Sequence, residues 1–422
     1  MRLIYTVLLY VIAPLVWLIT ALRGIRDPAY RDRLAERFGW TRLRFRQSIW
    51  VHAVSVGEVQ AAIPVVRELL ARFPNDPLVL TTATPTGAQR VKALFGDRVH
   101  HCYLPYDLPS ATRRFISRVA PRFGLVMETE IWPNLFSLAR SRKIPLLIAS
   151  ARLSERSVQR YRRFAFFARA LDGVKIAAQA QRDAQRFRAI GVPETQVEVT
   201  GNVKFDLQIA SDLIPRATTL RAEQFADRPV WVAASTHAGE ESGALDAHKD
   251  VLKAQPTALL VLVPRHPQRF DEVRTLLSSR GIRFASRSRN ESVTPESRVL
   301  LVDTLGELMM FYAACDVAFV GGSLVPIGGH NLLEPAALGR TIVVGPNNFN
   351  APDIAQSLIA SGAAIVVQNA AELGAAVSRL FTNSSERESR GAQGRGVVEA
   401  NRGAVGRVMR LIEDMASKSH SP

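Results

Sequence analysis

The sequence predicts an α/β protein of two doubly wound, Rossmann-like parallel-sheet domains facing a cleft, behind an N-terminal membrane-anchor helix. Three observations predict it. The 422 residues exceed the length at which one hydrophobic core stops growing, so two domains are expected. Short, continuous apolar runs alternate with amphipathic helical patterns in two successive series, the signature of βαβ units whose sheet is buried on both faces. Residues 3–22 are apolar and carry no charge. An apolar fraction of 47% with 22% charged residues indicates that most of the chain folds.

The segment 3–22 is interrupted only by Pro14, and twenty helical residues at about 1.5 Å each reach roughly 30 Å, the thickness of a hydrocarbon core. A cleaved signal peptide is the alternative, but Arg2 alone makes a weak basic start and no A-x-A-like site follows, so a retained anchor is expected. Arg23, Arg26, Arg31, Arg33 and Arg37, then Arg42, Arg44 and Arg46, follow the segment. By the positive-inside rule they place the rest of the chain on the cytoplasmic side of the membrane, against anionic lipids. A helix lying in one leaflet, bent at Pro14, remains open.

Strand-like runs then follow at 49–54, 78–82, 99–103, 124–127, 145–150, 173–177 and 196–200. The pattern lapses between Asp206 and Arg228 and resumes at 230–234, 258–263, 299–302, 317–320, 341–344 and 363–367. The domains expected are an anchor over 1–22, a first domain over 23–206, a linker over 207–228 and a second domain with C-terminal helices over 229–422. The last residues form a Ser-rich stub expected to fray.

A net charge of +16 calls for anionic partners: nucleic acid, phospholipid headgroups or phosphorylated substrates. No basic reading helix, paired Cys/His spacing or aromatic sheet motif occurs, so nucleic acid is not the expected partner. Cys102 and Cys315 belong to no C-x-x-C pair and read as buried thiols in a reducing compartment.

In the first domain, Ser55-Val56-Gly57-Glu58 ends a strand and opens a helix. Ser55 and Glu58 have capping-box spacing, so Glu58 is a helix cap. The same place, beside the positive end of the helix, also keeps a carboxylate ionised, as a general base must be, and both readings stand. Glu128-Thr129-Glu130 and Ile131-Trp132-Pro133-Asn134 follow another strand, and two acids there are costly to bury without partners. Gly201-Asn202-Val203-Lys204-Phe205-Asp206 closes the domain; Lys204 is either solvated or holds an anionic leaving group.

The second domain carries Ser235-Thr236-His237-Ala238-Gly239-Glu240 and Pro264-Arg265-His266-Pro267 after successive strands. Arg265 can fork two hydrogen bonds onto phosphate or carboxylate, whereas His266 reads equally as structural. Asp303-Thr304-Leu305-Gly306-Glu307-Leu308 turns into a helix. The most specific feature is Gly321-Gly322-Ser323-Leu324-Val325-Pro326-Ile327-Gly328-Gly329-His330-Asn331-Leu332-Leu333-Glu334-Pro335. Its glycines would let backbone N–H groups approach a phosphate, and Glu334 could accept from both hydroxyls of a ribose. Neither G-x-x-x-x-G-K-[ST] nor G-x-G-x-x-G occurs. With no D-x-D pair and no H-x-x-x-H cluster, transfer from a nucleotide would rely on cationic side chains and helix dipoles rather than a metal.

Taken in order, these motifs closely resemble those of the bacterial 3-deoxy-D-manno-octulosonic acid (Kdo) transferases over nearly the full length. The resemblance implies a GT-B glycosyltransferase of lipopolysaccharide biosynthesis that moves Kdo from CMP-Kdo to the lipid A precursor (lipid IVA) with inversion. It implies no cofactor and no metal, CMP-Kdo being the donor substrate. By position, Glu58 resembles the general base, and Glu128 and Lys204 the groups that steady the transition state. Pro264, Arg265, Gly306, Glu307, Leu308, Asn331, Leu332, Leu333 and Glu334 match the CMP-binding positions. The rival readings are another GT-B enzyme using a UDP-sugar and a non-catalytic basic protein of membrane surfaces or nucleic acid.

Overall fold

The apolar runs fold as two parallel sheets. The structure, a computed structural model, describes residues 2–26 and 28–418. One unit comprises residues up to Asp206 together with those from Arg402 onward; the other is Leu207–Asn401.

In the first unit, β1 (Ser48–His52), β2 (Leu78–Thr82), β3 (His100–Tyr103), β4 (Pro121–Met127), β5 (Leu146–Ala151), β6 (Lys175–Ala178) and β7 (Val197–Val199) lie in the order β3-β2-β1-β4-β5-β6-β7. All pairings are parallel. The sheet reverses its winding at β1 and β4, where a doubly wound fold presents strand ends to a ligand. Side chains alternate as a strand requires. Ile49 and Val51 pack with Leu125 and Met127 on one face, while Trp50 packs with Val126 and Ile148 on the other. Gly124 makes room for the Trp50 indole, since a Cβ there would lie 2.6 Å from Trp50 Cε3. The indole N–H donates to Thr81 Oγ1 at 2.9 Å.

In the second unit, β8 (Val230–Thr236), β9 (Leu259–Pro264), β10 (Phe284–Ser286), β11 (Val299–Leu301), β12 (Val317–Val320), β13 (Thr341–Val344) and β14 (Ala364–Val366) lie in the order β10-β11-β9-β8-β12-β13-β14, again parallel throughout. The register of β8 on β9 shifts between Ala234 and Thr236, and Ser235 between them has φ 55. This irregularity turns the strand end toward His237.

Two expected boundaries change. The C-terminal helix Ala404–Lys418 belongs to the first unit, not the second. Its Val405, Val408, Met409 and Ile412 enter the core that holds β1, β4 and the helix Val56–Arg72. Asp206 fixes its start by accepting from the N–H of Gly403 at 2.6 Å and of Val405 at 2.5 Å. The expected linker 207–228 is a structured part of the second unit. Its helix Leu213–Leu220 buries Leu213 and Ala217 and is followed by Phe225, which is fully buried. Arg221 ties the segment down through Ala314 O at 2.6 Å and Asp316 Oδ2 at 3.1 Å. The Ser-rich stub beyond Lys418 lies outside the described residues. Cys102 and Cys315 are buried and unpaired, and burial pushes both thiols up to about 12.

Candidate active site

The first unit carries its polar cluster on the ends of β1, β4 and β5. Ser55 caps the helix Val56–Arg72, its hydroxyl accepting from Glu58 N at 3.5 Å, and Glu58 Oε2 accepts from the Val54 N–H at 2.8 Å. Glu58 is therefore a cap, as its spacing predicts. It is not held ionised as the helix N-terminus alone would hold it. Burial raises its carboxyl to about 7, and the charges of Glu128 and Glu130 add to that, against the Val54 hydrogen bond and Lys204. Desolvation outweighs the dipole here, and the group titrates near neutrality.

Glu128 follows β4 in a left-handed conformation, φ 55, which costs on the order of 1–3 kcal/mol for a residue with a Cβ. The turn aims its buried carboxylate at two cations. Oε1 accepts from Lys204 Nζ at 2.9 Å, and Oε2 from Arg152 Nε at 2.8 Å. Burial alone would raise this carboxyl, but Lys204 and Arg152 prevail and hold it below the usual range. Lys204 is carried by the short 3-10 turn Val203–Phe205, which Asn202 caps through Oδ1 on the Lys204 N–H at 3.0 Å. Glu128 and Lys204 are thus in direct contact, and Glu58 feels the field of both. Glu130 is raised by burial. Asn134 points elsewhere, donating to Asp107 O at 2.7 Å.

In the second unit the glycine loop is held differently from its sequence reading. The Glu240 carboxylate, 2% exposed, accepts from the N–H groups of Gly322 at 2.7 Å, Ser323 at 3.1 Å and Leu324 at 3.0 Å, and from His237 at 3.0 Å. The N–H groups of Gly328 and Gly329 turn back to Gly322 O. The loop's donors, expected to face a phosphate, are largely engaged within the protein. Gly321 lets the strand end approach this carboxylate, for a Cβ would meet Ser235 O at 2.8 Å and Glu240 Oε2 at 2.9 Å.

The loop delivers His330 onto His237. The rings stack at 5.0 Å with Nε2 atoms 2.8 Å apart, so one ring donates and the other accepts. Burial, then the charge of Arg265, lowers His330 to about 4, and burial lowers His237 as well, so the pair is neutral at pH 7. Arg265, exposed just past β9, donates its N–H to Thr236 O at 3.0 Å and leaves its guanidinium free of any protein carboxylate within bonding distance among the described residues. Its charge reaches Glu334, whose carboxyl is raised by burial against the Asn331 hydrogen bond and Arg265. Asn331 Nδ2 donates to Glu334 Oε1 at 3.0 Å. Pro264, Leu332 and Leu333 are buried beneath. Arg265, Asn331 and Glu334 thus gather at one strand-end cluster. Gly306, Glu307 and Leu308 form another: Gly306 has φ +87, and Glu307 takes Arg287 at 2.7 Å and Thr304 at 2.5 Å.

Sequence reading missed Arg152, Glu240 and the His237–His330 pair as a group. Arg152 had one signal, its position two residues after the predicted strand 145–150. For Glu240 the first-turn position suggests only its own helix; the loop it holds lies some eighty residues away, and local pattern carries no trace of that.

A family model described as 3-Deoxy-D-manno-octulosonic-acid transferase (kdotransferase) matches residues 32–207. A 3-deoxy-D-manno-octulosonic acid transferase of Haemophilus influenzae is 43% identical over 98% of this chain and 98% of its own. One from Bordetella pertussis is 39% identical over 97% of this chain and 98% of its own. Among solved structures, the UDP-GlcNAc 2-epimerase of Neisseria meningitidis bound to UDP-GlcNAc superposes with a TM-score of 0.56, covering 87% of this chain and 100% of its own at 16% identity. That likeness is one of fold.

Proposed function

Since the chain belongs to the 3-deoxy-D-manno-octulosonic acid (Kdo) transferases, we propose that it moves Kdo from CMP-Kdo to the lipid A precursor (lipid IVA) at the cytoplasmic face of the inner membrane, in lipopolysaccharide biosynthesis. The observation that carries the reading is Glu58: a carboxyl raised to about 7, beside a carboxylate that binds two cations. A base with a pKa near the working pH combines a useful ionised fraction with enough basicity to take a hydroxyl proton.

Glu58 takes the proton of the acceptor's sugar hydroxyl as its oxygen bonds to the anomeric carbon of Kdo. The bond from that carbon to the phosphate oxygen breaks on the opposite face, and CMP leaves with the electron pair, inverting the centre. Lys204 and Arg152, held on either oxygen of Glu128, are the cations placed to meet the anionic groups of donor and acceptor. Arg265 takes the phosphate, Glu334 the ribose hydroxyls, and Pro264, Gly306, Glu307, Leu308, Asn331, Leu332 and Leu333 shape the CMP subsite. Cationic side chains, without a metal, balance the leaving group. Incubation with lipid IVA in chelator, with CMP-Kdo or a UDP-sugar, tests this. The expected result is a lipid heavier by Kdo with CMP-Kdo only; product from the UDP-sugar, or a strict metal requirement, overturns the donor or the metal-free step.

A further inference from the structure

The N-terminal helix Arg2–Arg26 is fastened lengthwise to the first unit. Tyr5 OH donates to Asp107 Oδ2 at 3.0 Å, Thr6 Oγ1 to Asn134 Oδ1 at 3.1 Å and Tyr10 OH to Ser110 Oγ at 3.2 Å. Further along, Thr20 Oγ1 meets Tyr106 OH at 3.2 Å, and Arg2 meets Ser137. Tyr5, Leu9, Ala13, Val16 and Thr20, half-buried, and Gly24, buried, recur at spacings of three and four and form the stripe turned to the protein. Outward of it the helix is apolar and bare: Leu3 is 76% exposed, Val11 70% and Leu22 53%.

The helix is long and apolar enough to cross a membrane, but its fastening argues against an upright span. From Tyr5 to Thr20 the contacts run over roughly 22 Å, most of a hydrocarbon core of about 30 Å. A helix standing upright would draw Asp107, Ser110 and Asn134 to hydrocarbon depth, together with the exposed Arg113 and Arg140 on the helices that carry Ser110 and Asn134. Hydrocarbon solvates none of these. Laid flat, the same helix turns only its bare apolar face to lipid. Beside its start, Phe166 and Phe167 pack on Tyr5 at 5.4 and 6.4 Å, and the preceding helix Glu155–Arg163 carries exposed Arg156, Arg160, Arg162 and Arg163. Aromatic rings flanked by arginines are the composition of an anionic bilayer surface contact.

We propose that the N-terminal helix lies in one leaflet of an anionic bilayer, parallel to its plane, with the first unit resting on the same surface. The inference is independent of which sugar the protein transfers. Its test uses the full chain on phosphatidylethanolamine–phosphatidylglycerol vesicles without donor or acceptor, so failure here and failure of the transfer reading are separable. Leu3→Cys, Val11→Cys and Leu22→Cys are each labelled with a fluorophore, the native thiols being buried, and quenched by lipids brominated at stepped depths. All three labels at one shallow depth is the expected result. Val11 at the bilayer centre with Leu3 and Leu22 near opposite surfaces means the helix spans, and overturns the proposal. Labels that no brominated lipid quenches mean that protein, such as a second copy, covers the face, and overturn it too. The pair Leu8→Glu and Leu15→Glu, both on the exposed face, is expected to lower vesicle partitioning by at least about tenfold with an unchanged circular-dichroism spectrum; undiminished partitioning contradicts it.

Discussion

Burial sets the Glu58 carboxyl near 7, and that has two measurable consequences. In its proposed role as base Glu58 acts ionised, so the rate of Kdo transfer is expected to rise with pH along a limb centred near 7, a pH–rate profile being the check. As a folded group, its pKa is raised above the usual carboxylate value, so the stability it contributes is present at low pH and lost as pH rises toward and through about 7. Glu58→Gln retains an oxygen for the Val54 N–H and removes the buried charge. It is expected to make the protein on the order of 1 kcal/mol more stable at pH 8, with no difference below pH 4.5, read from denaturant melts at the two pH values. Glu240 gives the opposite case. In Glu240→Gln an amide NH2 faces backbone N–H donors that the carboxylate now satisfies. An unsatisfied buried donor costs about 1–3 kcal/mol, so the amides of Gly322, Ser323 and Leu324 should exchange with solvent roughly tenfold to a hundredfold faster, while those of β1 and β4 keep their rates.

Among the elements, the C-terminal helix departs most from its position in the chain. Ile412 is fully buried in the core of the first unit. Ile412→Ala is expected to cost about 2–5 kcal/mol and to speed amide exchange in β1 and β4 but not in β8 and β12, as mass-spectrometric exchange would resolve. The sequence shows an amphipathic helix there, since Val405, Val408, Met409 and Ile412 recur at helical spacing; it does not show which sheet receives it. Sheet strands were legible wherever Val, Ile and Leu ran unbroken. Leu78–Thr82, Val317–Val320 and Thr341–Val344 fall on the expected residues. Phe284–Ser286 did not, because an edge strand of three residues between Arg283 and Arg287 offers no apolar run. Within the site the same rule holds. Motif order singles out Glu58, Glu128 and Lys204, but not the contact of Glu128 with Lys204, which joins segments 76 residues apart. The Arg152 contact and the Glu240 clasp are made between distant segments and leave no local pattern.

For the whole molecule, the proposed docking makes the charge of +16 and the bare apolar face of the N-terminal helix act on the same partner, an anionic lipid surface. Removing the residues before Arg23 also strips Tyr5 and Thr6 from Asp107 and Asn134. Transfer to a bilayer-embedded acceptor is then expected to fall further than transfer to a detergent-dispersed one, the two rates being compared side by side; equal losses mean the helix serves only the fold. The central claim is that a half-buried Glu58 serves as base in moving Kdo to the lipid. Single-turnover transfer from CMP-Kdo to lipid IVA, followed by mass spectrometry across pH for the wild type and Glu58→Gln, addresses it directly. The account predicts a wild-type rate that climbs through about pH 7 and a variant that binds CMP, lacks that limb and is slower by roughly 10²–10⁴-fold. A variant that forms Kdo-lipid at the wild-type rate would contradict it.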